Sequence, residues 1–176
     1  MGVLIWSRHI PKAAISPTMK KLTLATLLIF SCATAWAADF AKGLAAYQAG
    51  DFATALAEWK PLAEQGDASA QSNLGLMYFN GEGAIEDYKE AVKWFRLAAA
   101  QGNVSAQTSL GLMLANGQGV IQDNVYAHMW SNIAAANGSE RARGNKDILV
   151  KEMTPQDISK AQDLARECVK KNYKDC

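Results

Sequence analysis

Residues 67–102 (DASAQSNLGLMYFNGEGAIEDYKEAVKWFRLAAAQG) align without a gap on residues 103–138 (NVSAQTSLGLMLANGQGVIQDNVYAHMWSNIAAANG), and 18 of the 36 positions are identical. A unit of this length cannot bury its own apolar face, so a 36-residue period restricts the chain to architectures in which units stack on their copies. The spacing within each unit is helical. Ala70, Leu74, Met77 and Tyr78 fall on one face of a first helix, and Ala106, Leu110, Met113 and Leu114 repeat them. A second helix follows, with Asp87 ahead of Ala91, Trp94 and Ala98, and Asp123 ahead of Ala127, Trp130 and Ala134. Aspartate at such a start accepts from the free amides of the first turn. Asn80-Gly81-Glu82-Gly83 and Asn116-Gly117-Gln118-Gly119 join the helices, and Gly102 and Gly138 close the units. Gly75 and Gly111 are expected where two helices touch too closely for a side chain.

The flanking segments are variants of the same unit. In residues 39–66, Asp51, Ala55 and Gly66 stand 36 positions before Asp87, Ala91 and Gly102, while the inter-helix loop contracts to Ala49-Gly50. Pro61 falls inside the second helix and Trp59 lies one position off the Trp94 register, which predicts a kink or a one-residue deletion. After residue 138 the pattern decays. Ala142 continues the alanine series, but Lys146 and Asp147 replace the leucine and glycine of earlier units, as a solvent-facing terminal repeat requires. Thr154-Pro155-Gln156-Asp157 opens a last helix in the manner of a capping box, with Ile158, Ala161, Ala165 and Cys168 as its buried stripe. The fold class is therefore all-α. Residues 38–138 form three repeats of antiparallel helix pairs, and 139–176 a degenerate repeat with a C-terminal capping helix.

The N-terminal region reads as an address. Met19-Lys20-Lys21, the apolar run Leu22 to Phe30, and small Ala35 and Ala37 make residues 19–37 a signal peptide cleaved before Ala38. Residues 1–18 precede a complete signal and are read as untranslated, with Met19 as initiator. Acylation at Cys32 is the weaker alternative, because bulky Phe30 stands where a lipoprotein box holds a small residue. The apolar run is too short to span a bilayer, so no transmembrane anchor is expected after processing. The 139 residues from Ala38 onward carry 14 basic and 17 acidic side chains, a net charge of −3. That balance lacks the clustered Lys and Arg of nucleic-acid binding. A periplasmic or secreted monomer is expected.

The pattern A-x-x-x-LG-x-MY-x-x-G-x-G-x-x-x-D-x-x-x-A-x-x-W-x-x-x-AA-x-x-G, carried by residues 70–102 and by most positions of 106–138, resembles the Sel-1-like repeat, a relative of the tetratricopeptide repeat. The stretch Ala45 to Phe52 is similar to an ordinary tetratricopeptide turn, and Met153-Thr154-Pro155 with Ala161 to Arg166 to the tail that closes small bacterial members. The resemblance implies a short right-handed α-solenoid used as a protein-interaction scaffold, often exported and tied to the bacterial envelope, without a common catalytic residue. The function this suggests is an exported adaptor that holds a protein or peptide in the solenoid groove. The alternative is a cell-envelope enzyme or enzyme inhibitor acting on peptidoglycan or β-lactams. Against catalysis stands the absence of G-x-S-x-G, C-x-x-C, S-x-x-K, S-D-N and K-T-G.

Chemistry-bearing residues are few. After residue 37 the one histidine is His128, aligned with Val92, so no metal and no cofactor are expected and His128 reads as a packing or surface residue. Trp59, Trp94 and Trp130 recur nearly in register and read as core. Cys168 and Cys176 are the remaining cysteines. In an oxidising compartment they suggest an intramolecular disulfide, with a bond to a partner or a free thiol as alternatives. If the apolar stripe of each first helix faces the core, then Asn73, Leu76 and Asn80 lie on another side, with counterparts Ser109, Leu112 and Asn116. Stacked first helices line the inner surface of such solenoids. These six residues are therefore expected to form a partner-binding strip, the alternative being that both leucines pack against the neighbouring repeat.

Overall fold

The computed structural model describes residues 40–176. The expectations for residues 1–18, for the signal 19–37 with Cys32, and for the cleavage before Ala38 fall outside the described residues. Helical residues 40–48 form α1. They are followed by α2 (Phe52–Glu64), α3 (Ala68–Asn80), α4 (Tyr88–Ala99), α5 (Val104–Asn116), α6 (Asn124–Ala136), α7 (Glu140–Leu149) and α8 (Pro155–Lys170). No strand occurs among the described residues.

Each helix from α2 onward starts at a side chain that caps it. Asp87 accepts from Lys89 N and Glu90 N, and Asp123 from Val125 N and Tyr126 N, as the sequence predicts. The first helices are capped too, at repeat spacing, by Asp67, Asn103 and Ser139. Thr154 accepts from Asp157 N, and its hydroxyl donates to the Asp157 carboxylate at 2.8 Å. Caps of this kind are worth about 1 kcal/mol each, so seven of them fix where the helices of an alanine-rich chain begin.

Successive helices from α2 to α7 pack on one another, α3 touches α5, α5 touches α7, and α8 returns to α6. The first helices of the repeats thus make one wall and the second helices the other. Trp59, Trp94 and Trp130 are all buried, which makes them core residues. Two buried glutamines tie the repeats together, Gln71 Nε2 donating to Ala63 O at 3.0 Å and Gln107 Nε2 to Ala99 O at 3.3 Å. Each satisfies a carbonyl at the end of the preceding helix.

Gly75 and Gly111 lie at close helix contacts, as expected. A Cβ on Gly75 would stand 2.8 Å from the Phe95 ring, and one on Gly111 2.9 Å from Ser131 Oγ and 3.2 Å from Ala127 O. The expectation of a deletion near Trp59 is corrected. Helix α2 runs unbroken through Pro61, and the 36-residue spacing of Ala55 and Gly66 is intact. Trp59 occupies the position of Phe95 and Ser131, and it faces a glycine as they do: a Cβ on Gly43 would be 2.5 Å from Trp59 Nε1.

The fourth pair is looser, since α8 packs on α6. Ala161, Ala165 and Cys168 are buried and Ile158 partly so. Beyond Lys171 the chain turns back through Asn172 and Tyr173, both at positive φ. The sulfurs of Cys168 and Cys176 stand at disulfide distance, 2.14 Å, with Cα atoms 5.5 Å apart. The returning segment seats Tyr173 over Gly102, and the Tyr173 hydroxyl accepts from Asn137 Nδ2 at 3.3 Å.

His128 is a packing residue, 1% exposed on α6, and its Nδ1 has no hydrogen-bond partner among the described residues. Burial, and secondarily the charge of Lys146, hold its pKa below the usual 6.5. The folded state therefore disfavours the protonated ring. Stability from this site is complete above about pH 6.5 and declines as pH falls below it, because the unfolded chain binds the proton first. His128→Val, which restores the residue of the preceding repeat, is expected to flatten that acid-side decline. Urea unfolding at pH 8 and pH 5 measures it, and equal pH dependence in both proteins would remove His128 as the cause.

Candidate functional site

The inner wall has an unusual composition. Helices α3 and α5, ASAQSNLGLMYFN and VSAQTSLGLMLAN, contain no charged residue at all. Their core stripe sends Ala70, Leu74, Met77, Ala106, Leu110 and Met113 inward, while Asn73 and Leu76 on α3 and Ser109 and Leu112 on α5 stay at least partly exposed. Between α3, α5 and the start of α7 lies a groove of about 500 Å³. Asn73, Leu76 and Ser109 line it, together with Phe95, Thr108 and Arg141. A small cavity of about 30 Å³ adjoins it, lined again by Leu76, Ser109, Phe95 and Arg141 and also by Leu112.

Four of the six expected residues are therefore gathered. Leu76 is 37% exposed, and Leu112, Asn73 and Ser109 are half-buried. Asn80 and Asn116 line neither cavity. Each is exposed as the last residue of its helix, and Asn116 Nδ2 donates to Gln118 Oε1 at 3.2 Å. The strip is shorter than the helical wheel suggests because α3 and α5 end there. The groove's far edge is fixed by Ser139, whose hydroxyl accepts from Ala142 N and lies 2.9 Å from Thr108 Oγ1. That contact ties α5 to the cap of α7.

Sequence reasoning missed Arg141. The signal was present: residues 69, 105 and 141 occupy one repeat position, and two serines give way there to arginine. It also missed Gln71 and Gln107, which are identical across the alignment one position beyond the core alanine, a place where an invariant polar side chain has structural work to do. A second cavity, about 480 Å³, opens between the α5–α6 turn and the returning C-terminal segment. It holds charges of both signs, Arg96 with Asp123 and Asp175, beside Tyr126 and Trp130. Among the described residues no three His, Cys, Asp or Glu side chains gather as metal ligands would, and no helix is long and apolar enough to cross a membrane.

Comparison with known proteins agrees with this architecture. The Sel1 repeat family matches at residues 68–103 and 104–139. The crystal structure of c5321, a protective antigen present in uropathogenic Escherichia coli strains and displaying an SLR fold, superposes with a TM-score of 0.73 at 27% identity, over 78% of this chain and 31% of that one. A Sel1 repeat protein from Oxalobacter formigenes superposes with a TM-score of 0.51 at 34% identity, over 52% of this chain and 27% of that one. The chain thus spans less than a third of the length of either structure. No curated protein matches it.

Proposed function

We propose, from the premise that the chain carries two Sel1 repeats and is a Sel-1-like repeat protein with an all-α solenoid fold, that it is an exported adaptor holding a protein or peptide in its inner groove. The Sel1 repeat fold is a protein-interaction scaffold, and its family is generally non-catalytic. The observation that carries the reading is that Leu76 and Leu112 meet at one small cavity beside a groove lined mostly by serine, threonine and asparagine side chains. An apolar centre with amide and hydroxyl edges suits a ligand anchored by a few side chains. Asn73 and Ser109 supply hydrogen bonds to its backbone. The adaptor acts in the bacterial periplasm or outside the cell, on the strength of the signal-like residues 19–37 and of a cysteine pair suited to an oxidising compartment.

A photo-crosslinking side chain at position 76 tests the groove directly in the envelope. A discrete protein adduct is expected from position 76 and none from Ala57, which is exposed on α2. A glycan adduct at position 76, or equal labelling from both positions, would overturn the reading. Export is tested by intact mass. The purified exported protein is expected to begin at Ala38, to weigh two hydrogens less than its reduced form, and to expose no thiol to labelling. A chain acylated at Cys32, or stoichiometric labelling of Cys168 or Cys176, would sink the respective part.

A further inference from the structure

Arg141 lies on the first turn of α7 and is exposed at the mouth of the groove. It also lines the adjoining small cavity. The neighbouring carboxylate, Glu140, is engaged by Arg143 instead, at 2.5 and 2.6 Å. Among the described residues Arg141 itself forms no ion pair. Among the described residues no Asp or Glu lines either cavity, and α3 and α5 contribute no charge. The acidic residues of the first three repeats sit on the second helices, at the helix caps and in the loops. Although residues 38–138 hold 10 acidic and 5 basic groups, among the described residues the charged side chain that lines the two cavities is Arg141.

We infer that the groove selects a peptide carrying a carboxylate next to an apolar side chain, the carboxylate seating on Arg141 and the apolar group against Leu76. This rests on the groove reading above and adds the chemistry of the ligand. A guanidinium without an internal partner presents a planar fork of donors that matches a carboxylate in two parallel hydrogen bonds. Leu76 and Leu112 line the cavities beside Arg141 and supply the apolar contact for the neighbouring side chain of the peptide. Ser105 and Ser109 stand on the same wall and complete the donor set. The cavity near the C-terminal segment lacks this bias, because Arg96 there shares its space with Asp123 and Asp175.

A phage-displayed library of random twelve-residue peptides, selected on the full chain, tests the inference without assuming a sequence. Wild-type protein is expected to enrich peptides with Asp or Glu beside Leu, Ile, Met or Phe. The best of them, made synthetically with a fluorophore, is expected to lose roughly ten- to hundred-fold in affinity when its acids become Asn or Gln, and similarly with Arg141→Gln. Arg141→Lys keeps the charge without the fork and is expected to fall between. Enriched peptides that need Leu76 but show no acidic preference would overturn the carboxylate and leave the groove standing. Peptides indifferent to both Leu76→Glu and Arg141→Gln would overturn the groove reading and the carboxylate with it, as would enrichment of nothing.

Discussion

Gly119→Ala is expected to lower the unfolding free energy by about 2 to 5 kcal/mol, since among the described glycines its added carbon makes the closest contact. Two costs combine. Gly119 has φ +70, where an L side chain costs about 1 to 2 kcal/mol. A Cβ there would also overlap the Tyr88 carbonyl group, in the first turn of α4. That neighbour is backbone locked by the Asp87 cap, so it cannot swing aside as a side chain would. The contact recurs one repeat earlier, where a Cβ on Gly83 would lie 2.6 Å from Phe52 O at the start of α2. The second glycine of each Gly-x-Gly loop is thus the point where one repeat rests on the previous one. Gly138→Ala provides the control, since φ is +96 but nothing lies within 4 Å of the added carbon. It should cost only about 1 to 2 kcal/mol. Urea unfolding of both variants decides it, and equal losses would show that the Tyr88 contact yields.

The legible part of this fold was local or periodic. Asp87 and Asp123 cap as read because a cap depends on three consecutive amides, and Gly75 and Gly111 pack as read because their identity across the alignment reported a shared constraint. Trp59 was misread for a geometric reason. The contracted Ala49-Gly50 turn shifts α1 by four residues relative to α2, so Gly43 pairs with Trp59 at an offset that a strict 36-residue comparison hides. Matching by residue type set Trp59 against Trp94, whereas matching by position sets it against Phe95 and Ser131. The groove lining was legible in four of the six residues expected there. A helical wheel places Asn80 near Leu76 in angle but ignores the rise of about 6 Å over four residues, which carries Asn80 past the groove. Arg141 escaped because the fourth unit was read only for what it loses.

Replacing Leu76 and Leu112 together by glutamate is expected to abolish partner capture, a loss of more than about a hundred-fold if each leucine is an anchor worth roughly 2 kcal/mol. The cost to folding should be uneven. Leu76 is 37% exposed, so its glutamate remains solvated and Leu76→Glu alone should leave the melting temperature within a few degrees. Leu112 is half-buried and lines the cavity beside Phe95, so the stability lost by the double variant should trace to that position. A glutamate at either site also brings a carboxylate to the cavities Arg141 lines, occupying from within the place proposed for the ligand. Leu76→Gln with Leu112→Gln separates the two effects, removing the apolar anchors without supplying a competing charge. If burial of the leucines drives recognition, the glutamine pair should bind as poorly as the glutamate pair. If occupation of Arg141 dominates, the glutamine pair should keep most of its affinity and the glutamate pair should regain binding as salt rises. Unfolding of Leu76→Glu at ambient temperature would place that leucine in the core, and full capture by a stable double variant would move the partner to another face of the solenoid.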